Sequence, residues 1–201
     1  MTDNFDLIRS LLSFPSEDTF YFLQIIARRK DNPTMEKGEK LIRNYYIYSL
    51  EDFDKLKPHI IEHCQKNNAR AYFRLNKRSA KLCAMQSLKR ITDLIIQEQY
   101  RDVNDIYPSI AGEYHADEDK KWLIDIDENT DLMALKFKNW RFKNNPKSDT
   151  EDKIDIVAEI PSVSGLHLIV RPFRLDAFMK DFGGKDMIHK DNPTILYFAA
   201  K

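Results

Sequence analysis

The stretch Trp122-Leu123-Ile124-Asp125-Ile126-Asp127 decides how this chain is read. Its aromatic and β-branched residues mark a strand, and side chains on a strand point alternately to opposite faces. Trp122, Ile124 and Ile126 then form one apolar face, while Asp125 and Asp127 share the other with Leu123. Residues two apart on a strand are about 6.6–6.8 Å apart, so the two carboxylates stand side by side on rigid backbone.

The segments that follow complete a pattern. Residues 131–142 read as a helix, 153–160 and 165–173 as strands, 175–182 as a helix and 194–199 as a strand. Asn145-Pro146-Lys147-Ser148 marks a loop and Gly183-Gly184 a helix stop. This βαββαβ order is that of a ferredoxin-like or RRM-like unit, with the first and third strands adjacent in an antiparallel sheet and helices on one face. The same alternation in Gly165-Leu166-His167-Leu168-Ile169-Val170-Arg171 buries Leu166, Leu168 and Val170 under the helices. His167, Ile169 and Arg171 are left on the open face. In residues 153–160, Ile154, Ile156, Ala158 and Ile160 read as buried, with Asp155 and Glu159 open.

The first half reads as an α/β unit. Residues 5–13 form a short amphipathic helix, and 19–28 and 44–48 form strands. Ser49 caps a helix with Asp52 three residues later; Pro58 interrupts or restarts it and Asn67-Asn68 end it. Residues 69–75 form a strand, with Tyr72 and Phe73 in the core. Ser79 then caps a long helix in which Leu82, Met85, Leu88, Ile91 and Ile95 recur at helical spacing. Residues 100–120 are polar and irregular, with Pro108, Gly112 and the acidic run Asp117-Glu118-Asp119. The expectation is an α+β protein, with an N-terminal α/β unit at 1–118 and an RRM-like unit at 119–201.

Composition narrows the function. The 201 residues hold 32 Lys and Arg against 32 Asp and Glu, so the chain has no net charge and is not a basic nucleic-acid coat, though a local basic groove remains open to it. Cys64 and Cys83 are too few for a Cys-rich zinc module and read as small buried hydrophobes. The first residues lack the basic and apolar regions of a signal peptide, and no apolar run reaches the ~20 residues that cross a bilayer. The expectation is a cytoplasmic protein with no membrane partner.

Carboxylates suit hard cations such as Mg²⁺ and Mn²⁺, whose shells are completed by phosphate oxygens and water. Two such ions roughly 4 Å apart stabilise both the attacking and the leaving oxygen of an in-line phosphoryl transfer. A histidine and an arginine beside them can bind a triphosphate. An Asp pair on a wet sheet face can equally serve solubility alone. The predicted adjacency of His167 and Arg171 is what favours a site.

The residues also resemble a known group. Leu123-Ile124-Asp125-Ile126-Asp127 resembles the hydrophobic-hydrophobic-Asp-x-Asp motif of archaeo-eukaryotic-type primases. Pro161-Ser162-Val163-Ser164-Gly165-Leu166-His167-Leu168-Ile169 is similar to the Ser-Gly-x-His strand motif of their primase-polymerase relatives. The resemblance implies an RRM-like catalytic unit preceded by an α/β unit, and a nucleotidyltransferase of DNA replication or repair. Such an enzyme uses nucleoside triphosphates, a single-stranded nucleic-acid template and Mg²⁺ or Mn²⁺, beside a helicase or other replication proteins. Asp125 and Asp127 would be metal ligands and His167 a phosphate contact, with Ser164, Gly165 and Arg171 beside the nucleotide. The family's third acidic position falls at or near a later strand. The last strand here has none, so Asp191 just before it is the nearest candidate, with Asp186 and Asp176 as others.

Further cations lie at strand ends. Arg74, Lys77 and Arg78 are placed to grip a template backbone, and Arg28, Arg29 and Lys30 stand likewise. Trp140-Arg141-Phe142-Lys143 mixes basic and aromatic side chains suited to stacking. Two other readings compete. A non-catalytic, single-strand-binding or regulatory RRM-like protein would stack bases on open-face aromatics, and none is expected there. A rolling-circle-type nuclease would need paired metal-binding histidines, and the strand offers only His167.

Overall fold

The computed structural model describes residues 1–36, 38–113, 119–127, 130–143, 147, 149–183, 185–191 and 193–199, with backbone alone at 130 and 185. The described elements run β1 (Thr2–Asp3), α1 (Phe5–Ser10), β2 (Thr19–Arg28), β3 (Glu39–Ile47), α2 (Leu50–Asn67), β4 (Arg70–Ser79) and α3 (Ala80–Ile96). A short 3₁₀ turn leads to α4 (Ile106–Glu113), β5 (Trp122–Ile126), α5 (Thr130–Asn139), β6 (Arg141–Lys143) and β7 (Glu151–Lys153). Then come β8 (Ile156–Pro161), β9 (Leu166–Val170), α6 (Leu175–Phe182), β10 (Ile188–His189) and β11 (Thr194–Phe198). The chain is α+β, and its strands pair antiparallel throughout. No described helix is long and apolar enough to cross a membrane.

The first sheet has the order β1-β11-β4-β2-β3 and the second β10-β5-β9-β8, while β6 and β7 form a separate ribbon. β11 therefore corrects the sequence expectation. The strand at 194–198 does not close the second sheet but returns to the first, between β1 and β4. The two-residue β10 takes its place beside β5, with Ile188 opposite Ile124. All five residues of β11 are buried, as fits a strand covered on both faces. The 118/119 boundary abuts residues outside those described, as do parts of the expected 145–148 loop and the second glycine of the Gly183-Gly184 stop. Gly183 ends α6 at a positive φ of 75°.

Each face of the first sheet is built by alternation. Tyr21, Leu23, Ile25 and Ala27 of β2 and Ala71 and Phe73 of β4 join Phe53, Ile60 and Cys64 of α2 in one core. On the opposite face, Phe20 and Phe22 pack with Cys83 of α3 and Ile106 and Ile110 of α4. Both cysteines are buried, as expected. α2 runs unbroken through Pro58, from the Ser49 cap to Asn68, whose left-handed backbone (φ 43°) stops it. Helix α4 replaces the irregular stretch expected around Pro108. Phe73 is a core residue, whereas Tyr72 opens onto a cavity.

The second sheet keeps the expected helix-side face. Ile124, Ile126, Leu168 and Val170 pack with Phe137 of α5 and Phe178 of α6. The helix expected over 131–142 ends at Asn139, and Trp140 and Phe142 join this core instead of standing ready to stack bases. A bulge between Ile156 and Ala158 reverses the parity of β8. Ile154 and Ile156 face the helices as expected, but Ile160 lies in the other core. Glu159, expected on the open face, reaches Lys138 of α5 at 2.7 Å.

The other face of the second sheet is not open to water. Leu123, Ile169 and Ile160 share a core with Leu23, Phe73 and Leu75 of the first sheet. Polar links fix the two sheets together: Lys121 donates its backbone N–H to Asn76 Oδ1 at 2.7 Å, and Asn4 Nδ2 donates to Pro161 O at 2.8 Å and Ile195 O at 2.9 Å.

Candidate active site

Where apolar packing between the sheets gives way to polar residues, a cavity of about 470 Å³ opens. β5 and β9 supply one wall. Asp125 stands directly opposite His167 in the ladder, and both line the cavity with Asp127 and Ser164. The expectation that these side chains share a face is met, but that face is the floor of a cleft between sheets.

Gly165 sets the geometry of this wall. A Cβ at that position would lie 1.9 Å from the Ile126 carbonyl oxygen and 3.0 Å from Asp127 Cα, so only glycine lets the start of β9 approach the end of β5. Ser162 Oγ accepts from the Gly165 N–H at 2.9 Å and closes the turn. Ser164 Oγ then donates to Asp127 Oδ1 at 3.1 Å. The Ser-Gly-x-His segment thus does mechanical work: it braces one carboxylate and sets His167 beside the other.

His167 is fixed through Nδ1, and its Nε2 stands beside Asp125 without the geometry of a hydrogen bond. Nδ1 is 2.9 Å from Thr194 Oγ1 on β11, and Nε2 is 3.4 Å from Asp125 Oδ1. Its side chain is 12% exposed, against 34% for Asp125. Burial pushes the imidazole below its ordinary value against the pull of Asp125 and Asp127, which favours the neutral ring. Asp125 Oδ1 is itself buried and accepts no hydrogen bond. A buried carboxylate oxygen without a donor is costly unless a cation or donor reaches it. That orphaned oxygen, with Asp127 beside it, fits a hard divalent cation. Among the described residues no group of three or more His, Cys, Asp or Glu side chains is arranged to hold a metal ion. An ion here would complete its shell with phosphate oxygens and water, as Mg²⁺ commonly does.

The first sheet supplies the facing wall. Arg28, Arg70, Tyr72 and Ile195 line it with Lys30 and Glu39. Arg28 donates to the Tyr72 hydroxyl at 3.1 Å and meets Glu39 at 3.1 Å. Arg70 grips Asp31 through two hydrogen bonds of 2.7 and 2.6 Å. Lys30 is exposed and has no charged partner among the described residues. Arg28 and Lys30 were in view from the sequence, but Arg70 was missed. Its signal was present: Arg70, Tyr72 and Arg74 alternate with Ala71, Phe73 and Leu75, which puts the polar set on one face.

Other expected site residues lie elsewhere. Arg171 follows the end of β9 and is held by Asp119 and by Asp155 at 2.9 Å, away from the cavity lining. Asp191 does not line the cavity either. Its carboxylate takes 2.7 Å and 2.8 Å bonds from Arg78 and Asn76, with Arg74 at 3.5 Å. Arg78 is fully buried, and its Nε donates to Ala111 O at 2.7 Å. Burial also lowers the Arg74 guanidinium from its ordinary value. These two arginines, expected on a template backbone, instead tie β4 to α4 and to the segment before β11. Lys77 lies between them in sequence and is half-buried. Asp176 pairs with Arg174 at the start of α6.

No protein-family model, curated protein or solved structure matches the chain.

Proposed function

We propose that the protein is a metal-dependent nucleotidyltransferase of primase-polymerase type. It joins nucleoside triphosphates on a single-stranded nucleic-acid template in replication or repair, with Mg²⁺ or Mn²⁺, in the cytoplasm. One observation carries this reading: a 470 Å³ cleft sets Asp125, Asp127 and His167 on one wall and Arg28, Lys30 and Arg70 on the other. A triphosphate with its metal ions needs both signs of charge within one small space. The order β10-β5-β9-β8, with α5 and α6 as crossovers, supports an RRM-like unit whose fourth strand is β10.

In this reading Asp125 and Asp127 would hold the metal, and when bound it would supply positive charge to offset that of the phosphates. His167, kept neutral by burial and fixed by Thr194, offers a hydrogen bond to a phosphate oxygen while leaving charge balance to the arginines. A second reading, nucleotide binding without turnover, is favoured by Asp191, whose carboxylate is committed to Arg78.

The test is incorporation of labelled nucleotides on a single-stranded template with Mn²⁺, run beside Asp125→Asn/Asp127→Asn. Metal-dependent product from the wild type alone supports synthesis. Metal-dependent nucleotide binding without product selects the second reading, and neither result in the wild type removes both.

A further inference from the structure

Helix α3 has two apolar faces. Cys83 and Ser87 are buried, and Ile91 and Leu94 pack beside them against Phe20, Phe22 and α4. Met85, Leu88 and Ile95 are by contrast 61%, 68% and 50% exposed, and Ile96 is 74% exposed. One helix cannot turn both stripes to the same sheet, and the Cys83–Ile91 stripe is the one that meets it. Met85, Leu88, Thr92 and Ile95 follow the alternating three- and four-residue steps of a coiled-coil seam, with Ile96 along its border. A contiguous exposed stripe of this kind marks an interaction surface.

We propose that this stripe is covered by the same stripe of a second copy of the chain, with the two α3 helices antiparallel. Charge identifies both occupant and direction. Lys89 and Asp93 are exposed along one border of the stripe, and neither has a charged partner among the described residues. Arg90 is turned away to Glu113 at 3.2 Å. The stripe is centred near residue 91. A two-fold axis there sets Lys89 opposite Asp93 of the partner subunit and the reverse, a self-complementary contact of the isologous kind. A parallel pair would carry this border to opposite sides of the seam on the two helices, so neither Lys89 nor Asp93 would meet the opposite charge, and it is disfavoured.

The test is sedimentation equilibrium of the full chain across the micromolar range. A mass twice 23.8 kDa is expected. Leu88→Lys should raise the dissociation constant about a hundredfold, since two Leu side chains lose their cover in each dimer. Lys89→Asp should weaken the dimer, and Lys89→Asp/Asp93→Lys should restore it, because the swap rebuilds both cross-pairs. These changes lie on the solvent face, so circular dichroism should match the wild type. Leu135→Lys, on the exposed face of α5, should leave the dimer intact. A wild type that stays monomeric, a dimer indifferent to Leu88→Lys, or a charge swap without rescue would overturn the proposal. Capture of a different protein by monomeric chain at this stripe would overturn it as well.

Discussion

Gly165 approaches Ile126 so closely that a Cβ added to it would lie 1.9 Å from the Ile126 carbonyl oxygen. The obstacle is backbone, which cannot swing aside as a side chain can. Gly165→Ala should therefore push β9 away from β5 and carry His167 from Asp125. Overpacking of this sort costs about 1–3 kcal/mol, measurable by urea unfolding. Metal-dependent nucleotide binding should fall with it, whereas Ser164→Ala should keep stability and weaken only the brace on Asp127. A Gly165→Ala protein with wild-type stability and binding would show that the approach is not required.

The pairing of Asp191 with fully buried Arg78 makes a sharp distinction between a structural and a metal-binding carboxylate. Removing one partner of a buried pair costs about 3–5 kcal/mol, because the other charge is left without compensation. Asp191→Ala should show that loss in chemical denaturation, with or without Mn²⁺ present. Were Asp191 a metal ligand, its substitution would mainly abolish the stabilisation that the ion gives.

Asp18 anchors the start of α3. Its carboxylate accepts from the Ser79 hydroxyl and from the Lys81 backbone N–H at 2.7 Å. Those bonds, the Ser79 hydroxyl first, hold its carboxyl below the usual 3.8. A depressed carboxylate stabilises the fold above its unfolded value and loses that contribution as pH falls through the folded one. The α3 cap should therefore weaken only below about pH 4, near the ordinary 3.8. Acid titration followed by circular dichroism should give a shallower loss of helix for Asp18→Asn. Equal slopes in the two proteins would remove Asp18 from the account.

Much of the site was legible because β5 and β9 keep strict alternation from end to end. That alone placed Asp125, Asp127 and His167 together. It failed where local irregularity or distance intervenes. The bulge at Ile156 and Ala158 turned Glu159 and Ile160 to faces opposite those expected. β11 was assigned by order along the chain, although Thr194-Ile195-Leu196-Tyr197-Phe198 lacks the alternation of a strand with one wet face, and the two residues of β10 carry no periodic signal at all. Arg171 and Asp191 were placed by strand and motif, but their partners, Asp119, Asp155 and Arg78, are set by tertiary folding. The facing wall of cations required knowing that the first sheet covers the second.

That wall yields a last contrast, between Lys30 and Arg70. Both line the cavity, but Arg70 is nearly buried on its two bonds to Asp31, while Lys30 is exposed and unpaired among the described residues. A solvent-exposed cation contributes screened attraction, worth about 0.2–1 kcal/mol and fading with salt. Lys30→Ala should weaken triphosphate binding a few-fold at low ionic strength, by about the factor that energy implies, with little effect at high salt and no change in Tm. Arg70→Ala should lower Tm as well, since Asp31 is left without its partner. Isothermal titration with a non-hydrolysable nucleoside triphosphate at two salt concentrations separates the two. If Lys30→Ala binds as the wild type does at both, the phosphates are not held along this wall.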